Sequence, residues 1–593
     1  MRWQKRARIG IAIFGIAFAG LVFLAIGERE RPTAAPAPDR IDPTALVETA
    51  RGSMNRVTGT RQDFVVTFDH QLAYENGESR LAGVRIEVKE RQGRDFVITG
   101  AEALANEKSR EINLSGNVRM LASDGFELST ATATFREHDG VVRTPGAVSF
   151  KKGTMSGTGL GMTYDKNTDV LTIADQARVS MAGEAGGSTG EFTAGTATLA
   201  RVQNVLVLER TVHALRGEQT IDADHATAHL TENDEALTAI ELKGHARVAG
   251  GSTAFDSMSA RDIDLEYAGD GTTIERVGLF GQGTIALKGR QGGPGRQMLG
   301  ESLILSLAAD GSVTSAMGRD GVQLDLPAGA ETAARRVRAR TLDASGEEGR
   351  GMTTARFTGE VEYREEAVAG AAPRIARSEM LAADLDGDAI SAAVFTGQVR
   401  FEEKGLTASG AKARYEPKQG VLRLKGADEG GGPRVADEQI AIDADTIDVT
   451  LEGRRMVADG NVKTRLQGTP KTPGLLQKEQ PANVSAASLR YEGDSGHAVY
   501  TGSAQLWQGD TAIRGDTITI DQEKGRLSAS GSARSTIALG TETSVGRADA
   551  IRYDDASRQI IYVGATPSPA VVSTASPSRG ASAASPLARP GER

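Results

Sequence analysis

Cysteine is absent from all 593 residues. Its absence excludes disulfides, thiolate-held zinc, iron–sulfur clusters and thiol nucleophiles on chemical grounds. Aromatic residues make up only 4% of the chain and apolar residues only 39%, which suits many short strands better than a large helical protein. A one-sign charge field is also missing. The net charge of -9 is the small difference between 69 basic and 78 acidic residues scattered among one another, so the electrostatic footprint of a nucleic-acid binder is not there. Helical periodicity is scarce from about residue 60 to 565. What is abundant is glycine, at 71 residues, in a chain too long for one hydrophobic core. Together these point to an all-β repeat array.

The one long apolar run is "IGIAIFGIAFAGLVFLAI", residues 9–26, preceded by Arg2, Lys5, Arg6 and Arg8. As a helix at about 1.5 Å per residue it would reach roughly 27 Å, enough for a bilayer core. The basic flank predicts a cytoplasmic N-terminus, with everything downstream on the far side; a cleaved signal peptide is the alternative. A Pro/Ala linker follows. "DPTALVETARGSMNRV" (42–57) then predicts a short helix, with Asp42 as its cap and Pro43 in its first turn.

Beyond it one seven-residue phrase recurs: "LSGNVRM" (114–120), "TPGAVSF" (144–150), "LKGHARV" (242–248), "FTGEVEY" (357–363), "FTGQVRF" (395–401), "ADGNVKT" (458–464) and "YTGSAQL" (500–506). Read as strands, the phrases place Leu114, Gly116, Val118 and Met120 on one apolar face and Asn117 and Arg119 on the other. A glycine at the same inward position predicts a bend or a close approach of backbone. Polar turns such as "EPKQG" (416–420) join each phrase to a second strand, and a single such rung needs neighbours to cover its apolar face. The Ser/Pro/Ala tail after 565 lacks the apolar content to fold, which predicts disorder.

The phrase G-x-V-x-apolar, followed by a strand of the "ASGAKARYEPKQG" type, resembles the OstA-like periplasmic family of lipopolysaccharide transport. The stretch "GVVRTPGAVSFKKGTMSGTGLGMTYD" (140–165) behind a basic end and one anchor is similar to its LptC branch. The resemblance implies a fold: an elongated all-β jellyroll, two antiparallel sheets forming a V, with one N-terminal transmembrane helix. It implies this organisation: 1–27 cytoplasmic end and anchor; 28–59 linker with a short helix; 60–213 LptC-like jellyroll; 214–466 LptA-like blocks; 467–483 linker; 484–565 C-terminal OstA-like block; 566–593 tail. It further implies a non-enzymatic, single-pass inner-membrane protein with its bulk in the periplasm. The implied partners are lipopolysaccharide or a related glycolipid, an inner-membrane ABC-transporter complex, and a bridge or outer-membrane-side OstA-like protein joined by strand addition. No cofactor, metal or nucleic acid is expected.

The expected lipid-contacting residues are the inward positions Leu114, Val118, Met120, Val148, Phe150, Phe357, Val361, Phe395, Val399, Phe401, Ala504 and Leu506. The same residues would also fill a closed sandwich. Two rival readings remain: a structural or adhesin-like solenoid without lipid cargo, and a β-helix enzyme acting on polysaccharide. His225 and His229, four apart in "IDADHATAHL" (221–230), share a strand face as metal ligands would. The parallel segment "IDADTIDVTL" (442–451) has Thr446 and Thr450 in their place, which favours surface variation.

Overall fold

The computed structural model describes residues 41–564 and 571–574, apart from short stretches between strands, of which 182–189 is the longest. The apolar run 9–26 lies outside the described residues; among those described, no helix is long and apolar enough to cross a membrane. The described residues are nearly all β, with 37 strand segments among them joined mostly as antiparallel neighbours in sequence order. It forms two compact units. One contains the residues up to Leu326 with Thr341–Thr353, the other Pro327–Arg340 with everything from Thr354 onward.

The recurring phrase explains how either unit builds two sheets from one run of strands. In strand Glu111–Ala122, residues 111–115 pair with 102–106 and 132–136, whereas 119–121 pair with 97–99 and 118–121 with 127–130. Between the two halves stand Gly116 and Asn117, both left-handed at φ 75° and 53°, and the register shifts there. The same doublet occurs at Gly244–His245, Gly281–Gln282, Gly359–Glu360, Gly397–Gln398, Gly460–Asn461, Gly502–Ser503 and Gly531–Ser532. Two successive left-handed residues swing a strand out of one sheet and into the next, and glycine in the first place removes the Cβ penalty that the conformation carries.

This corrects the even alternation expected through the phrase. Alternation holds within each half and breaks at the glycine, so Gly116 is exposed rather than inward. Leu114 and Val118 both face the interior, but from different sheets. The glycine is required for space as well: a Cβ on Gly116 would run into the Ala101 methyl, and on Gly397, Gly460 or Gly531 into the carboxylate of Glu379, Asp445 or Asp516.

Two other expectations change. Residues 42–57 are not a helix: Val47–Thr58 is a strand, registered from Val47 against Ala73. Asp42 accepts the Thr44 amide and hydroxyl at 2.9 and 2.6 Å, closing a turn that precedes a strand instead of capping a helix. Within the tail expected to be disordered, Val571–Thr574 adds a strand to 542–545.

Gly502→Ala tests the kink. At φ 88° and with the Ala487 methyl in the way, it should cost at least about 1–2 kcal/mol. The check is a lower urea midpoint at unchanged slope; an unaltered midpoint would mean that the doublet does not need glycine.

Candidate functional site: the apolar interior

Cross-strand pairing lines the inward residues into continuous rows. In one sheet the row runs Ile98, Met120, Leu128, Phe150, Gly157, Val179, Phe192, Ala214, Ile221, Val248, Met258, Ile285, Met298. In the facing sheet, Leu171 pairs with Leu199, Leu199 with Leu206, Leu206 with Ala228, and onward through Ile240, Leu265 and Val277 to Leu305.

Burial along these rows is uneven. Below residue 119 a packed cluster including Val66, Ile86, Ile98, Leu114 and Val118 closes the interior. From Val248 and Leu265 onward the rows are again closed, with Leu265, Val277, Met298 and Leu305 all at 0% exposure. Between them Leu128, Phe150, Val179 and Phe192 of one row, and Leu171, Leu199 and Leu206 of the other, are only half-buried; so are Met120 and Val142, which pack against the cluster. Two features of the sequence loosen this stretch. Strand Met155–Asp165 is glycine-rich, and Gly157 occupies an inward place where its neighbours carry side chains. The Phe150 ring fills that place, since a Cβ on Gly157 would meet it. Phe150 also borders a cleft of about 310 Å³ whose other walls include Lys151, Arg178, Ser149 and Ser156.

The second unit is built from the same phrase and is sealed. Phe357, Val361, Phe395, Val399, Phe401, Ala504 and Leu506 are all at most 1% exposed. Tyr363 meets Phe395 and Tyr415 edge-on at 5.8 and 6.2 Å, and Tyr415 meets Phe401 at 5.9 Å. The side of the V opposite the kinks is laced by polar groups. Buried Glu365 accepts from Arg335 Nε at 2.9 Å, Arg374 at 2.9 Å, Tyr363 at 2.8 Å and, from the other sheet, Tyr415 at 3.1 Å. Arg454 donates to the Lys404 carbonyl at 2.7 Å, and the Tyr491 hydroxyl donates to Gln439 at 2.9 Å. Burial pushes the Glu365 carboxyl up, but Arg335 outweighs it, with help from Tyr363 and Arg374, and holds it below its ordinary 4.5.

Of the twelve expected lipid contacts, Met120 and Phe150 lie in the half-buried stretch, and Val148 is buried beside Phe150's strand end. Leu114 and Val118 belong to the packed cluster below it, and the remaining seven to the sealed unit. The residues that the repeated phrase did not reveal are Val142, which precedes the phrase on its own strand, and Leu128, Leu171, Val179, Phe192, Leu199 and Leu206, which lie on partner strands without the G-x-V signature; cross-strand register finds these. His225 and His229 do not converge. His229 reaches Glu241 at 3.2 Å, His225 stands 4.0 Å from Glu209, and among the described residues no group of three His, Cys, Asp or Glu is arranged to hold a metal.

Kinked strands that form two facing sheets around an apolar interior define a β-jellyroll. Residues 12–182 match the family model for lipopolysaccharide assembly, LptC-related. Residues 483–566 match that of the LptA/(LptD N-terminal domain) LPS transport protein. Both matched models describe lipopolysaccharide-transport proteins, one in the N-terminal part of the chain and one in the C-terminal part, and the residues between them match neither. Among solved structures it is similar to the crystal structure of LptH, the LptA homologous periplasmic component of the conserved lipopolysaccharide transport device from Pseudomonas aeruginosa. The identity is 16%, over 21% of this chain and 82% of that one, with a TM-score of 0.18. No curated protein sequence matches the chain.

The buried carboxylate gives a pH test. Because its folded value is depressed, Glu365 contributes stability fully above its ordinary 4.5, and that contribution is lost as the pH falls through the lowered value. Urea midpoints measured from pH 6 to 3 should fall more steeply for the natural chain than for Glu365→Gln. At pH 7 that substitution should cost about 3–5 kcal/mol, because it leaves Arg335 buried without its counter-charge. Parallel pH curves would contradict the assignment.

Proposed function

We propose that this protein is a periplasmic bridge segment that carries lipopolysaccharide by its acyl chains, and that the half-buried stretch between Met120 and Leu206 is where the chains lie. The observation that carries this reading is the uneven burial of one continuous apolar row: closed on both sides, partly exposed between, with most of the opening inside the LptC-related match. Exposing a glycolipid with about four chains of about twelve carbons to water costs on the order of 40 kcal/mol, at roughly 0.8 kcal/mol per methylene. A trough of unbranched and branched apolar side chains removes that cost without directional bonds.

The basic end and apolar run at 1–26 support an inner-membrane anchor next to an ABC transporter. Strand Gln559–Val563 pairs with Glu542–Asp554 and carries exposed Ile561, Tyr562 and Val563, which supports strand addition by the next OstA-like protein. The second unit favours a narrower role. Its closed interior supports a structural role rather than a trough along its whole length.

Photocrosslinking groups placed at Met120 and Phe150 should capture lipopolysaccharide in cells, whereas one at Phe395 should capture none. Capture at Phe395 alone would reverse this assignment. Removing residues 484–593 should preserve membrane anchoring and abolish delivery to the outer membrane; normal delivery by that truncation would rule out the docking role.

A further inference from the structure

The segment between strands Arg455–Leu466 and Ala482–Glu492 has a composition that reads as a hinge, yet residues 472–480 lie across the mouth of the C-terminal module. They leave one sheet at Leu466 and return to it at Ala482. On the way the Gly474 amide donates to the Asp555 carboxylate at 2.6 Å, and Asp555 belongs to a turn of the facing sheet. Leu476 is 3% exposed and shares a nearly filled cavity of about 10 Å³ with Leu466 and Ala482 of one sheet and Ile520 of the other.

What holds this segment is distinctive. It contributes no strand to either sheet. Its inner anchor is Gln508, a buried glutamine at the lip of the interior. Gln508 accepts from the Gln477 amide at 2.6 Å and donates to the carbonyls of Gln477 and Gln480 at 2.9 and 2.6 Å. A primary amide is indifferent to whether its partners are backbone or water, so its bonds are exchanged for solvent at little cost once the segment lifts. Thr472, Pro473 and Leu476 are the side chains of the segment that are buried at the mouth.

We propose that residues 472–480 are a strap that closes the interior of the C-terminal module, with Leu476 seated where an acyl chain of the transported lipid binds when the strap lifts. This rests on the lipid-transport reading above and adds a second, gated acyl site to it. Ile520 of strand Thr511–Asp521 lies beneath the strap and lines that site. The strap makes the closed state self-occupied, so the site stays dry when empty.

The test uses the full chain with a photocrosslinking residue at Ile520, alongside the same group at Phe150, and purified lipopolysaccharide as the probe. Gln508→Ala should raise hydrogen exchange of the 472–480 amides at least about tenfold and raise capture at position 520 several-fold, leaving capture at 150 unchanged. A disulfide between Gly474→Cys and Asp555→Cys, unique in a chain without cysteine, should abolish capture at 520, and reductant should restore it. Capture at 520 that ignores both the lock and Gln508→Ala overturns the strap. Capture at 150 with none at 520 in any variant overturns the strap alone; no capture at either position overturns the lipid-transport reading with it.

Discussion

A pair of left-handed residues, repeated at the same point of strand after strand, is the constraint from which the rest follows. A flat strand with one apolar face needs a second sheet supplied from elsewhere in the chain. A strand kinked at Gly-X brings its own: the half before Gly116 and the half after Asn117 face one another across the interior, and every hairpin adds a rung to both sheets at once. This is why one chain repeats nearly the same seven-residue phrase so many times. The glycine is set by backbone sign and by the side chain of the preceding strand that presses on it, as Glu379 does on Gly397.

The same architecture yields either a packed core or an accessible furrow, and the difference lies in what reaches across the side away from the kinks. In the second unit, Glu365 gathers groups from both sheets, Arg454 and Tyr491 bridge turn to turn, and the 472–480 segment lies over the last opening. Behind these closures, aromatic rings fill the volume. Buried charges such as Arg335 and Glu365 are costly to desolvate and add little net stability. Their effect is to fix which edges stay together. Between Met120 and Leu206, glycine replaces an inward side chain and the rows stay half-buried, which leaves apolar surface only partly covered by the described residues.

Much of this is written locally. The apolar alternation on either side of each Gly-X marks Phe357, Val361, Phe395 and Val399 as inward without any structure, and the polar turns mark where rungs end. The short segment at 42–57 misleads because Asp-Pro-Thr opens a turn as readily as a helix, and pairing with Arg61–Ala73 decides between them. Open and closed stretches are not distinguishable by sequence pattern, since Phe150 and Phe401 occupy equivalent places in their phrases. What separates them acts over distance: Tyr415 reaches Glu365 from 50 residues away, and Gly474 reaches Asp555 from 81. The 467–483 stretch reads as a linker because Gly, Pro and Gln dominate it, and only the burial of Leu476 reveals that it is packed.

The central claim is that acyl chains occupy the half-buried rows of the first unit. Native mass spectrometry of the full chain purified from a lipopolysaccharide-producing cell tests it most directly. The account predicts a bound acylated glycolipid that disappears when Met120 and Leu206 are both replaced by glutamate while the fold persists. A chain that carries no lipid, or a doubly substituted chain that keeps it, would contradict the account.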